Sequence, residues 1–173
     1  DLDQSTMGDQ TTLVVSGEGT WTYNGSTGEV TFDPEDEFTT DPTLIVYTLT
    51  EIATGLSDNA TVTIDYIPVA TDDTGSGPAN TPVLVDILVN DVTGDVVVPA
   101  TVSLTGGTDT DGNGTIDQLI VPGEGTWIVN PVTGAVTFIP EDDFAGVTTP
   151  VQYTVEDDDG NVSSPATVTV IIG

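Results

Sequence analysis

The residues best spaced for chemistry run from Asp109 to Asp117, as Asp-Thr-Asp-Gly-Asn-Gly-Thr-Ile-Asp. They fit the first nine positions of an EF-hand-type calcium loop. Asp109, Asp111, Asn113 and Asp117 supply side-chain oxygens at positions 1, 3, 5 and 9. Gly114 falls at position 6, and Thr115 offers a backbone carbonyl at position 7. Calcium takes about six to eight hard oxygen ligands, and a tight glycine turn lets alternate residues converge on one point. The pattern breaks at position 12, where Ile120 replaces the bidentate glutamate. Another loop or water must then complete the shell. The competing reading is an acidic, glycine-rich surface turn.

Two further acidic groups are weaker. Asp72 and Asp73, with Asn90-Asp91 folding back nearby, could hold calcium between domains. Glu156-Asp157-Asp158-Asp159-Gly160-Asn161 carries Asp-Gly and Gly-Asn signals and reads as a solvated hairpin turn. Paired carboxylates can serve glycoside hydrolysis. A β-protein this acidic brings acids together by chance, however, and no deep cleft is suggested, so no enzyme is expected.

Composition removes more hypotheses than motifs supply. The 173 residues include no Lys, Arg, His or Cys, and 29 acids give a formal charge of −29. Nothing can neutralise phosphates, so nucleic acid is excluded as a partner, as is direct attraction to anionic lipid. Imidazole and thiolate catalysis, Cys/His zinc sites, disulfides and Lys–Asn cross-links are all impossible. Self-repulsion should weaken the fold at low salt, which points to a saline or calcium-rich extracellular medium. No apolar run is long enough to span a membrane, so no direct insertion is expected. No signal peptide is visible, which suits a mature protein or a piece of a longer one.

The elements that must position these groups come in two copies, 106 residues apart. Gly17-Glu18-Gly19-Thr20-Trp21 returns as Gly123-Glu124-Gly125-Thr126-Trp127, and the copies stay in register without a gap. Val30-Thr31-Phe32 matches Val136-Thr137-Phe138, Pro34-Glu35-Asp36 matches Pro140-Glu141-Asp142, and Tyr47-Thr48 matches Tyr153-Thr154. Ala60-Thr61-Val62-Thr63 matches Ala166-Thr167-Val168-Thr169. This period suits a whole domain rather than a solenoid turn. In the first copy the calcium positions are Asp3, Ser5, Met7 and Gly8, and Met at a ligand position makes that copy inactive.

Patterning is β throughout. Thr12–Val15, Thr43–Thr50, Ala60–Ile67, Pro82–Leu88, Gln118–Val121, Val136–Ile139, Val151–Glu156 and Ala166–Ile172 are rich in Val, Ile, Thr and Tyr. Turn clusters separate them at spacings of about 8–12 residues, the rhythm of a sandwich. The expected fold class is all-β: tandem Ig-like β-sandwich domains, the first incomplete at its N-terminal side. The boundaries are 1–69 and 70–173. Asp1 aligns with Gly107, so a counterpart of Ala70–Gly106 is missing from the first domain. Either the chain begins inside a repeat, or the first domain is an open sandwich needing a strand from elsewhere. At the junction, Gly75-Ser76-Gly77 should permit a local bend, while Pro68 and Pro78 stiffen either side. Consecutive domains are expected end to end, with restricted bending.

With Gly123-Glu124-Gly125-Thr126-Trp127, Gly134-Ala135-Val136-Thr137-Phe138, Pro140, Phe144-Ala145-Gly146, Tyr153-Thr154-Val155 and Asp159-Gly160-Asn161 in view, the chain resembles the CshA-type fibril repeats of large bacterial surface adhesins. The likeness covers one full repeat and the back two-thirds of another. It implies a tandem stalk projecting an adhesive tip at the bacterial cell surface, partnered by neighbouring repeats, with no catalytic residues. Trp21, Trp127, Tyr47 and Tyr153 are expected in cores. Two rivals remain. A filament subunit would receive a donor strand. A glycan-binding domain would need Trp21, Trp127 or Tyr23 outside the core.

Overall fold

The computed structural model describes residues 1–2 and 10–173. The calcium positions of the first copy from Asp3 to Asp9 therefore lie outside the described residues. There is no helix among the described residues, and none is long and apolar enough to cross a membrane. Contacts divide the chain into a first unit, Asp1–Tyr66, and a second, Ile67–Gly173.

The second unit is a two-sheet sandwich. One sheet has the order β7 (Val83–Val85), β11 (Val136–Pro140), β10 (Gly125–Val129), β9 (Gln118–Val121). The other has β12 (Gly146–Val147), β14 (Ala166–Ile172), β13 (Val151–Asp157) and β8 (Val97–Leu104), with β6 (Asp73–Gly77) running parallel to β14. Side chains alternate between faces of a strand, so every second residue of β10, β13 and β14 points inward. Trp127, Val136 and Phe138 from one sheet meet Tyr153, Val155, Val168 and Val170 from the other in one buried cluster. Removal of this apolar surface from water stabilises the unit at about 25 cal/mol per Å².

The first unit repeats part of this plan. It has the sheet β1 (Thr12–Val15), β2 (Gly19–Tyr23), β3 (Val30–Pro34) and the hairpin β4 (Ile45–Thr50), β5 (Ser57–Val62). Registers agree across the 106-residue offset: Trp21 pairs Phe32 as Trp127 pairs Phe138, and Tyr47 pairs Ala60 as Tyr153 pairs Ala166.

Gly75-Ser76-Gly77 is a strand, not the bend expected from its composition. The two glycines lie flat against β7: a Cβ on Gly75 would sit 2.6 Å from Val85 Cγ2, and one on Gly77 2.5 Å from Val83 Cγ2. Here glycine serves close approach rather than flexibility. The strand expected over Ala60–Ile67 is shifted to Ser57–Val62. Its counterpart β14 runs on to Ile172 because β6 and β12 supply ladder partners there. Val97–Leu104 is a strand that the sequence patterning left out, Pro99 having obscured it.

Candidate metal centre and buried carboxylate cluster

The Asp109–Asp117 loop joins β8 to β9 and is pinched at its base. Thr108 N donates to Gln118 O at 2.7 Å, and Gln118 N returns to Thr108 O at 3.1 Å. Ile116 packs against the core, and its N–H donates to Ser103 Oγ at 3.0 Å. Within this frame Gly112 and Gly114 take left-handed φ values of 78° and 99°, where a side chain is strained.

The loop brings carboxylate oxygens of Asp109, Asp111 and Asp117 within 4.8 Å of one another. Asp109 accepts from Gly112 N at 2.7 Å and Gly114 N at 3.0 Å. These backbone donors, Gly114 first, hold its carboxyl below the ordinary range. Asp117 accepts from Thr110 N and Thr110 Oγ1 at 2.9 and 2.7 Å. Asn113 donates through Nδ2 to Asp111 and accepts through Oδ1 from the N–H and hydroxyl of Thr115. Ile120, at the twelfth position, is exposed and offers no ligand.

Asp72 and Asp73 point different ways. Asp72 Oδ1 accepts from Thr167 N at 2.8 Å on β14. Asp73 turns into the second unit's own interior and is 7% exposed. Asp91 does fold back, and its Oδ1 accepts from Thr71 N at 2.7 Å. Both carboxylates converge on Tyr153: the phenol oxygen lies 2.9 Å from Asp73 Oδ2 and 3.0 Å from Asp91 Oδ2. The carbonyls of Thr71 and Ile87 stand 3.0 and 3.2 Å from the same oxygen. One hydroxyl has a single proton to give. Four acceptors surround it, and a second short carboxylate contact needs a proton of its own.

That arithmetic fixes a pH dependence. Burial, reinforced by the Asp91 charge and opposed by the Tyr153 hydrogen bond, pushes Asp73 up from 3.8 to about 6. Asp72 adds a smaller upward push, and Asn90 a downward one. Burial raises Asp91 as well. An unfolded chain gives up the Asp73 proton near pH 4, so between about pH 4 and 6 the folded unit binds more protons than the unfolded one. Stability of the second unit should therefore fall as pH rises through this window, by on the order of 1–2 kcal/mol. Denaturant titrations at pH 5 and 7.5 in high salt, which screens general repulsion, would show it. Asp73→Asn should flatten the difference, and an unchanged slope in that variant would contradict the assignment.

The third acidic group forms a turn, as its Asp-Gly signal suggests, but it is not solvated throughout, because Asp157 is only 2% exposed. Asp157 ends β13 and accepts through Oδ1 from Asp159 N and Asn161 N.

The repeated motifs resolve into packing devices. Trp21 and Trp127 are 1% and 0% exposed. Each leans on a phenylalanine, Phe32 or Phe138, with ring centroids 4.8 and 4.7 Å apart. The glutamates of the Gly-Glu-Gly turns act as clips. Glu124 accepts from Thr149 N at 2.8 Å and Thr149 Oγ1 at 2.6 Å, and Glu18 does the same for Thr43 at 2.7 and 2.6 Å. Glu141 and Glu35 accept from Gly123 N and Gly17 N, both at 3.2 Å. Sequence reading missed these clips and the Tyr153 cluster. The clips left a signal, since Thr43 and Thr149 recur at the 106-residue offset.

A family model described as the surface adhesin CshA repetitive domain matches residues 65–171. No curated protein and no solved structure matches the chain.

Proposed function

The chain belongs to the CshA repetitive-domain family of surface adhesins, and from that premise we propose that its units are stalk modules. They extend an adhesin from the bacterial surface and hold its adhesive tip away from the envelope. Tandem Ig-like domains suit this task, because a repeat such as the second unit closes its own core and leaves its ends for neighbouring repeats. The observation that carries the reading is where the repeated residues are spent: tryptophan, glutamate clips and glycines all serve the fold. An open groove does recur in both units, lined by Leu119, Val121 and Val151 in the second and by Leu13, Val15 and Ile45 in the first, but its lining is mainly apolar, and the reading assigns no catalysis. A direct test inserts extra copies of the second unit between a surface anchor and a tip of known ligand. Tip height should rise with copy number while tip affinity stays constant. Adhesion by the 173-residue chain alone would overturn the reading.

Calcium at Asp109, Asp111, Asn113, Thr115 and Asp117 is part of this proposal. It is supported by the converging carboxylates and by the charge of −29 without a single cationic side chain. The ion would replace hydrogen bonds internal to the loop and brace the β8–β9 connection. Calcium at about tenfold to a hundredfold over its dissociation constant stabilises a native domain by about 1.4–2.7 kcal/mol. A rise of several degrees in the second unit's melting temperature should follow. Sodium or magnesium at matched ionic strength should give less, and Asp109→Asn with Asp111→Asn should remove the calcium-specific part. Equal stabilisation by all three salts would reduce the effect to screening.

A further inference from the structure

The strand that opens the second unit and the strand that closes it lie side by side and run the same way. β6 pairs parallel with β14 in unbroken register, from Asp73 opposite Val168 to Gly77 opposite Ile172. β14 has β12 and β13 along its other edge. The match with β6 continues past both strand ends. Gly173 N donates to Gly77 O and Ala79 N to Gly173 O, each at 3.1 Å. At the opposite end Thr167 N donates to Asp72 Oδ1 at 2.8 Å, and Val69 forms a parallel bridge with Ser164. A further tie reaches over β14 altogether: the Tyr153 hydroxyl, carried by β13, lies 3.0 Å from Thr71 O and 2.9 Å from Asp73 Oδ2. Gly75 and Gly77 let Val85 and Val83 of the opposite sheet close on β6. Val168, Val170 and Ile172 are buried beside it, which keeps water from the inner side of the ladder.

We propose that the β6–β14 ladder is a force-bearing clamp, which keeps the second unit folded while the chain carries tension. Ile67 opens the unit and Gly173 stands one 106-residue period later, so a pull along tandem repeats enters and leaves at these two points. It drags β6 toward its own start and β14 toward its own end. Because the two are parallel neighbours, these motions are opposed along one ladder, and the strands must slide past each other. The evenly spaced bonds of a parallel ladder then share the load, and none breaks far ahead of the rest. Antiparallel terminal strands would take both pulls at one end, where the bonds open singly. Unfolding under force is governed by the barrier to this sliding rather than by equilibrium stability. The bonds of Asp72, Tyr153 and Ala79 fasten the ends, where sliding begins. The clamp rests on the stalk reading only for the source of the tension; its geometry belongs to the fold.

The chain contains no cysteine, so introduced thiols become unique attachment points for pulling. In the full chain one pair, Ile67→Cys with Gly173→Cys, loads the ladder along its length. A second pair, Thr81→Cys with Gly173→Cys, loads it from one end, because Thr81 follows β6 on the side where Gly173 bonds Gly77 and Ala79. All three positions are exposed, and neither pair puts the first unit under load. At one loading rate the lengthwise pair should rupture at roughly twice the force of the end pair or more. Asp72→Ala should lower the lengthwise force and leave the end force unchanged, since peeling reaches that bond last. Equal rupture forces in the two geometries would overturn the proposal, and so would an Asp72→Ala effect of the same size in both. Tip height, which tests the stalk reading, is a separate measurement, so either reading can fail alone.

Discussion

Tyr153→Phe is expected to destabilise the second unit by about 2–4 kcal/mol at pH 8, out of all proportion to the loss of one oxygen. The ring fills the core in either case, so little apolar contact is lost. What disappears is the hydroxyl that faces Asp73 and Asp91, residues only 7% and 3% exposed. A buried acceptor left without its donor costs about 1–3 kcal/mol, more when charged. Here the one phenol proton is lost from a site that two buried carboxylates share, and their mutual repulsion is added. The variant should recover stability on acidification, because one carboxyl can take a proton and donate to the other. Urea titrations at pH 5 and 8 should thus show a smaller deficit at the lower pH. Tyr47→Phe is the control, since among the described residues of the first unit no carboxylate is buried. A Tyr153→Phe deficit below about 0.5 kcal/mol at pH 8, the size of an ordinary surface change, would mean the cluster is not held by the phenol.

Gly125→Ala should be as damaging or more, at about 3 kcal/mol, and should unfold the second unit while sparing the first. A Cβ at this position would lie 2.3 Å from the carbonyl oxygen of Ile139 and 2.8 Å from the Phe138 ring. A ring can shift slightly, but the backbone oxygen belongs to the β10–β11 ladder, in which Gly125 stands opposite Pro140. Relief therefore means opening the end of that ladder and lifting Trp127 off Phe138. Overpacking alone costs about 1–3 kcal/mol, and lost pairing adds to it. Gly123→Ala separates this cause from glycine's backbone freedom. Gly123 has φ 82° with nothing within 4 Å of the added Cβ, so only the left-handed penalty of about 1–2 kcal/mol applies. Thermal melts that rank the two substitutions equally would refute the steric argument. Gly19→Ala should reproduce the effect in the first unit, where the carbonyl of Asp33 is also 2.3 Å away.

These two residues show how unevenly the molecule could be read from its sequence. Gly125 announces itself because Gly-Glu-Gly-Thr-Trp occurs twice, although repetition alone does not say whether a glycine is needed for its φ or for its missing side chain. Tyr153 looked like an ordinary core aromatic, and that part holds. Its polar end depends on partners 80 and 62 positions away. No local pattern links those sites. Glu124 and Thr149 are likewise 25 residues apart and meet only because β10 and the segment before β13 are brought together by the sandwich. Gly75-Ser76-Gly77 shows composition misleading outright: small residues that would loosen an isolated linker are what let a strand press against Val83 and Val85.

By itself the sequence determined what depends on neighbours in the chain and on totals. Period-two alternation made the strands, Asp-Gly and Gly-Asn signals made the acidic turn, and the 106-residue echo made the two units and their family. The absence of every cationic side chain set the charge. Tertiary structure decided which acids are solvated, which share a proton and which converge on one point. That depends on register and burial: the pairing of β6 with β14 and of β8 with β13 carries Asp73 and Asp91 to the Tyr153 hydroxyl, whereas the pinch at Thr108 and Gln118 gathers Asp109, Asp111 and Asp117 in an exposed loop. A carboxylate's chemistry follows from its solvent and its partners, and both are assigned only when distant strands meet.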